Sequence, residues 1–487
     1  MGKEFTPGLI SRALALVSPR LALQREFYRQ GLRQFYSAAK TGRATDGWTT
    51  VAAGAETTNR GSRDIIRARA RDLERNSDVM GGLIHPIVSN VVGSGYQLQA
   101  KVLRADGSED ESFNAQVEEK WKKWCRPQSC DIRGLHSLSE MLELIVRRRL
   151  VDGGVLVLKI SSKNRFCLQV VEVDRLDTSV TTFTPPGAET PNRVEGGIEV
   201  DAYSRPVAYH LRGNTDTADL GSRRVPAKDV IYLPVLTRAE QVREMSPLCS
   251  SLSRIDDINE FISAALRKEE ILSYLGVFVT NSVPGGGFGR GFAPAGGPKG
   301  KQELALEQGM ITYLAPGEDV KTINPAGVSA SSGEMLRTTQ RLTGSGQGLS
   351  YEAASRDMSQ VNYSSARQGL LEDRKTYSSW QTYLIDHLLT PVYEEWLDWM
   401  LLSGQLPVSP KEYAKNPEAY QRHVWVRPGW DWIDPLKEAN ANRVALDTCQ
   451  TTLQEICASK GKDWRDIIAQ RKVEMEALGD LGGDGPS

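Results

Sequence analysis

Histidine and cysteine are scarce in this chain of 487 residues, and neither is spaced for chemistry. The five histidines stand far apart, and neither His-Glu-x-x-His nor Gly-x-Ser-x-Gly occurs, so zinc-hydrolase and serine-hydrolase chemistry lack their residues. The six cysteines lie at 125, 130, 167, 249, 449 and 457. Cys125 and Cys130 have no second pair and no histidine at ligand spacing, so free thiols and no metal are expected. No apolar run approaches the roughly 18 residues of a membrane span. The N-terminus shows no compact apolar core followed by a cleavage site, so a cytoplasmic product without a membrane partner is expected. The glycine-rich stretch 284–300 holds no Gly-x-Gly-x-x-Gly, and Gly300-Lys301 lacks both the upstream glycine and the following Ser or Thr of a phosphate loop. It reads as a surface loop. His85, beside Pro86, has no catalytic partner in sight, and Asp256-Asp257 lie on a helix face that meets solvent or a neighbour by default. Neither an enzyme nor a cofactor is expected.

What remains is ordinary in amount and uneven in placement. The chain is 40% hydrophobic and 25% charged with a net charge of −1, long enough for two to four packed units. Residues 1–75 hold 14 Lys or Arg against 7 Asp or Glu, a net of +7, so the remainder carries −8. The arm 25–43 mixes arginines with Tyr28, Phe35 and Tyr36, a pattern open to nucleic-acid binding or to docking on an acidic neighbour. Residues 42–63 are poor in large apolar side chains and read as a linker.

A first helix is expected from about Arg63, with Ile66, Ala70 and Leu73 on one face and Arg67, Arg71 and Arg75 in a row at i, i+4, i+8, candidates for phosphate or subunit contact. Ser77 caps the next helix, whose Leu83, Ile84, Ile87, Val88 and Val91 form a buried stripe. Ser137 with Glu140, and Thr452 with Glu455, read as capping boxes. Between 155 and 235 the pattern turns to short strands. Ser246-Pro247 then opens a helical period through Leu252, Ile255, Ile258, Ile262 and Leu266 to Leu275, a rod of about 40 Å at 1.5 Å per residue.

The chain is organised around 344–402. Gly344, Gly346 and Gly348 loosen the backbone ahead of a polar segment, and a long helix follows with Leu370, Leu371, Tyr377, Leu384, Leu388 and Leu389 on its inner face and Glu372, Asp373, Arg374 and Lys375 in water. Pro391 predicts a kink or a restart.

The run GQGLSYEAASRDMSQVNYSSAR in this region resembles the signature of the lambda-type portal proteins of tailed bacteriophages. RARDLERNSDVMGGLIHPIVSNVVGSGYQL and RPGWDWIDPLKEANAN agree as well, in the same order, and the likeness spans about 36–470. The family's GxSPL appears as Glu244-Met245-Ser246-Pro247-Leu248, without its glycine. The resemblance implies an α+β, mainly helical portal fold assembling into a ring. Its parts would be a basic arm and linker (1–62), wing helices with a β-rich wing and clip region (63–245), and a stem helix with a following strand (246–282). A Gly-rich loop and wing return (283–342), a tunnel-loop segment with a long helix (343–402), crown-like helices (403–478) and a tail (479–487) would complete it.

It also implies a structural role: a dodecamer at a capsid vertex of the virion, assembled in host cytoplasm. Double-stranded DNA would be packaged through it by the terminase large subunit and later ejected. Major capsid protein, scaffold and head-tail connector proteins would be the other partners. Gly344, Ser345, Gly346, Gln347, Gly348, Ser350, Tyr351, Arg356 and Asn362 would form the tunnel loop that touches DNA. Duplex DNA carries about one charge per 1.7 Å, so a strongly basic tube would hold it fast, and a near-neutral to acidic wall lets it slide. Another oligomeric connector or scaffold component, or a nucleic-acid-binding protein using the basic arm, are the alternatives.

Overall fold

This computed structural model describes residues 18–21, 47, 49, 52–104, 106–162, 165–186, 190–213, 221–274, 278–281, 318–321, 330–359, 362–430 and 435–480. The chain divides into two units, Met1–Gly54 and Ala55–Ser487. Most of the basic arm, the glycine-rich stretch 284–300, Leu275 and the end of the tail lie outside the described residues. The architecture below is that of the second unit.

Helix α1 (Ala55–Asn76) begins ahead of the expected Arg63. Its first turns need no large apolar side chain, because Ala55 is buried and Glu56 pairs with Arg63 two turns on. Ser77 caps α2 (Asp78–Val92), accepting from the Met80 N–H at 3.3 Å, and the expected stripe from Leu83 to Val91 is buried. Strand β1 (Gln97–Ala100), α3 (Glu111–Trp124) and α4 (Leu138–Val151) follow, the last with its capping box formed.

The β-rich block has two sheets, both antiparallel. Strands β2 (Val155–Ser162) and β3 (Arg165–Glu172) pair along their whole length. A five-stranded meander follows: β4 (Thr182–Phe183), β5 (Asn192–Glu195), β6 (Ile198–Val200), β7 (Pro206–Arg212) and β8 (Ser222–Pro226). Strand β9 (Val230–Tyr232) then returns to β2, placing Leu156 opposite Tyr232. The meander shares a small core, Ile198, Val200, Tyr209 and Leu211, with the outward face of β2 and β3.

Helix α5 (Leu252–Tyr274) leaves the body after a 3-10 turn, Pro247–Ser250, and α6 (Ala330–Ser345) returns. Between them β10 (Phe278–Asn281) pairs antiparallel with β11 (Glu318–Lys321). A Cβ on Gly346 would stand 3.2 Å from Ser251 Oγ, so the end of α6 meets the start of α5 and the two form an out-and-back hairpin. Leu252, Ile255 and Ile258 are buried at its base, whereas Leu266, Met335 and Leu342 are more than half exposed.

Short helix α7 (Tyr351–Ser355) leads to α8 (Tyr363–Leu384), a π turn over Ile385–Leu389, and α9 (Thr390–Leu402). The helix restarts at Pro391 as expected: a π turn, in which the Thr390 N–H reaches back to Ile385 O, closes α8, and α9 opens with the proline in its first turn, where a missing donor costs nothing. The inner face of α8 differs from the apolar pattern. Leu370 and Leu371 are 37% and 40% exposed, while Asp373 and Gln381, at 2% and 1%, share the buried stripe with Tyr377 and Leu384. Each polar residue has partners there. Gln381 donates to Asn90 O and Pro428 O, both at 3.2 Å.

Helix α9 anchors the aromatic core. Trp396 is fully buried, with its ring centroid 5.0 Å from that of Trp121, and Trp124 stacks on Phe166 of β3 at 5.7 Å. Strand β12 (His423–Val426) pairs with β1. Helices α10 (Pro435–Asp447), α11 (Leu453–Ser459) and α12 (Trp464–Asp480) close the described chain, and α10 has no buried residue.

One buried carboxylate joins these parts. Glu244 is 0% exposed and accepts from Arg243 Nε and Nη2, each at 2.8 Å, and from the Tyr232 hydroxyl. Its main-chain carbonyl accepts from Arg63 Nε at 3.2 Å. Burial pushes the carboxyl pKa up, and the adjacent Arg243 guanidinium overrides this and holds it at about 2. A depressed folded pKa stabilises above the unfolded value, so this contribution is present above pH 4.5 and is lost as pH falls toward 2. Glu244→Ala, which strands a buried arginine, is expected to cost about 3–5 kcal/mol at neutral pH by chemical denaturation. The variant's stability should change less than the parent's across that acid window.

Candidate functional site

The arginine row on α1 is used within the chain. Arg67 is 7% exposed and meets Asp64 at 2.6 Å, Asp174 at 2.9 Å and Glu244 at 3.5 Å. Arg71 grips Asp152 with two bonds, at 2.7 and 2.9 Å, and also reaches Asp174 and Glu172. Arg75 alone of the three is largely open, 3.3 Å from Asp72. The spacing that makes a row on the sequence brings the first two onto carboxylates of the β-rich block.

The described residues of the segment, 344–359 and Asn362, are braced rather than loose. Gly344 and Ser345 end α6, and Gln347 Nε2 donates to Pro247 O at 3.2 Å and Ser251 Oγ at 3.3 Å, at the base of α5. Gly348 sits at φ +70°, a left-handed turn that favours glycine, and its carbonyl accepts from Thr376 Oγ1 at 2.8 Å. Ser350 caps α7, accepting from the Ala353 N–H at 3.2 Å, and is itself held by Asp373 of α8. On its other side α7 lies against α2, where Gly82 leaves room for the Ala354 carbonyl.

What the brace displays is Arg356, with Arg337 and Arg341 of α6 beside it. Arg356 ends α7 in the left-handed region, φ +56°, a conformation that costs an L-residue with a Cβ about 1–2 kcal/mol, and its side chain is exposed. Arg337 Nε lies 4.0 Å from Asp357, and the Arg341 guanidinium stands over the Tyr351 ring at 5.2 Å. The Asp357 carboxyl is held below its usual range by hydrogen bonds from the Ser359 side chain and N–H, and from the Tyr351 hydroxyl. Asn362 caps α8, accepting from the Ser365 N–H at 2.8 Å. Among the expected site residues, then, the glycines, Gln347 and Ser350 hold the segment, while Arg356 is displayed. Arg337 and Arg341 escaped the sequence reading; their i, i+4 spacing, aimed at Tyr351, was the available signal.

A braced turn that displays Arg356 thus stands beside an extended helical hairpin. The chain belongs to the lambda family of phage portal proteins: the profile for "Phage portal protein, lambda family" matches residues 41–381. This is a family of structural rather than catalytic proteins. The chain is 26% identical over 473 residues to the probable portal protein of Halomonas phage phiHAP-1, covering 93% of this chain and 88% of that protein. It is 18% identical over 443 residues to portal protein B of Escherichia phage lambda, covering 84% and 82%. Among solved structures, a chain from the neck of a native GTA particle computed with C12 symmetry is similar with a TM-score of 0.41 and 12% identity, over 82% of this chain and 98% of its own.

The brace yields a paired test on α2. A Cβ at Gly82 would stand 2.4 Å from Ala354 O, whereas one at Gly81 would meet only His85 at 3.8 Å. Gly82→Ala is expected to lower stability by about 1–3 kcal/mol. Gly81→Ala should raise it by about 0.5–1 kcal/mol. Thermal unfolding of the two proteins reads the difference.

Proposed function

We propose that this chain forms a dodecameric ring at one vertex of a phage capsid, through which the terminase large subunit drives double-stranded DNA inward and from which the DNA later leaves. The observation that carries this reading is membership of the portal family across most of the chain. The hairpin α5–α6 supports it as the stem. Its base is packed into the body, but Leu266, Met335 and Leu342 are more than half exposed among the described residues, as expected of helices that stand beside copies of themselves. The clip, on this reading, falls at the far end of that hairpin, where β10 pairs with β11, and the β-rich block 155–235 belongs to the wing. Capsid protein, scaffold and head-tail connector proteins meet the ring's outer surfaces, in the virion and in host cytoplasm during assembly.

The segment 344–362 is the part we assign to DNA. Phosphate contacts by arginine carry no sequence information, which suits a channel that must pass any sequence. Arg356, flanked by Arg337 and Arg341, supplies such contacts locally.

Negative-stain class averages of the purified protein should show a ring with a central hole wide enough for duplex. A monomer that stays monomeric with capsid partners present would overturn the assignment. Leu266→Asp is expected to abolish ring formation while leaving a folded monomer, read by sedimentation and circular dichroism. Arg356→Glu should leave the ring intact and lower DNA retention in particles about tenfold, the scale of one lost charge-assisted contact.

A further inference from the structure

The proposed DNA segment depends on a helix that cannot orient itself. Helix α7 has five residues, too few to be stable alone, and its direction sets where Arg356 points. Asp373 is 2% exposed, and both of its oxygens are turned to one residue of that segment: Oδ1 accepts the Ser350 N–H at 2.7 Å, and Oδ2 accepts the Ser350 hydroxyl at 2.6 Å. Because the hydroxyl proton goes to Asp373, the Ser350 oxygen is free to accept the Ala353 N–H and cap α7. One turn along α8, Thr376 fixes the Gly348 carbonyl. Leu349, between the two grips, is 4% exposed.

We propose that Asp373 is the positioning residue of the DNA-facing segment: through Ser350 it fixes the cap and direction of α7, and so the place of Arg356, without touching DNA itself. The proposal rests on the reading of 344–362 as DNA-facing.

A carboxylate buried among Leu and Tyr serves stability poorly compared with an apolar side chain of similar size, which is why a role in holding geometry explains it better. Gln347 ties the same segment to the base of α5, so the grip of Asp373 on one side and of Gln347 on the other leaves α7 a single seating.

The test uses the full-length chain with Asp373→Ala, Ser350→Ala and Ser350→Thr, and Arg356→Glu as the control for the underlying reading. Ring symmetry, amide exchange over 351–359 and DNA retained in particles are measured for each. Asp373→Ala and Ser350→Ala are expected to keep the ring, to speed exchange over 351–359 about tenfold relative to α8, and to lose retention as Arg356→Glu does. Ser350→Thr, which keeps both donors, should behave as the parent. If Arg356→Glu retains DNA normally, the DNA-facing reading fails. If it does not, but Ser350→Ala retains DNA normally, the positioning role of Asp373 fails. Should Asp373→Ala not assemble, the Ala and Thr variants at Ser350 decide alone: equal loss in both would mean packing, and would overturn the proposal.

Discussion

A carboxylate with no access to water must be compensated where it stands, and Glu244 imposes that condition on three parts of the chain at once. Its partners come from β9 through Tyr232, from the adjacent Arg243, and from α1 through Arg63 and Arg67. Arg243 in turn is 1% exposed and needs the Gly196 carbonyl of the meander as well as Glu244. Removing any member leaves a charge without solvent, so the group is kept or lost together. The arginine row of α1 is best understood as the outer half of this group, with Arg71 on Asp152 continuing it toward α4.

The position of Glu244 in the chain gives the network its reach. Two residues later Ser246 donates to Leu150 O and caps the turn into α5, and Gly153, at φ +87°, lies so close to the Met245–Ser246 backbone that a Cβ would stand 2.4 Å away. The base of the hairpin is thus seated on a closed charge group and a glycine contact. From there Gln347 carries the seating to the turn after α6, and Ser350 and Thr376 carry it to α8. Hairpin base, turn and long helix form one contiguous hydrogen-bonded chain across the body.

What the sequence made legible was local. Capping boxes at Ser137 and Thr452, the α2 stripe and the short strands that begin at Val155 depend on neighbours within a few residues, and they stand as read. The family likeness was legible because it rests on motifs rather than on packing. What failed is what tertiary contact decides. Asp373 and Gln381 look like solvent residues until Ser350, Asn90 and Pro428 arrive from elsewhere in the chain to receive them, and Leu370 and Leu371 are displaced outward as a consequence of that register. Strands such as Asn192–Glu195 and Ser222–Pro226 carry too few apolar residues to announce themselves; pairing with neighbours makes them strands. Within the candidate segment the division of labour was not legible, since glycines that suggest mobility are in fact close approaches to Ser251 and Thr376.

That division bears on how a channel can both hold and release a polyanion. Arg67 and Arg71 are consumed by carboxylates of their own chain, so they add nothing to the field a duplex would meet. Residues 344–362 carry only Glu352, Arg356 and Asp357 as charges, a net of −1, and the flanking Arg337 is itself drawn to Asp357. On the proposed reading, each subunit offers DNA a few exposed guanidiniums at one level rather than a basic lining. Counterion release grows with the number of phosphates neutralised, so a few guanidiniums per subunit, multiplied around a ring, would retard a duplex and still leave that grip breakable by a motor. A brace that fixes Arg356 then matters more than it would in a basic tube, because with so few contacts the loss of one is a large share of the grip.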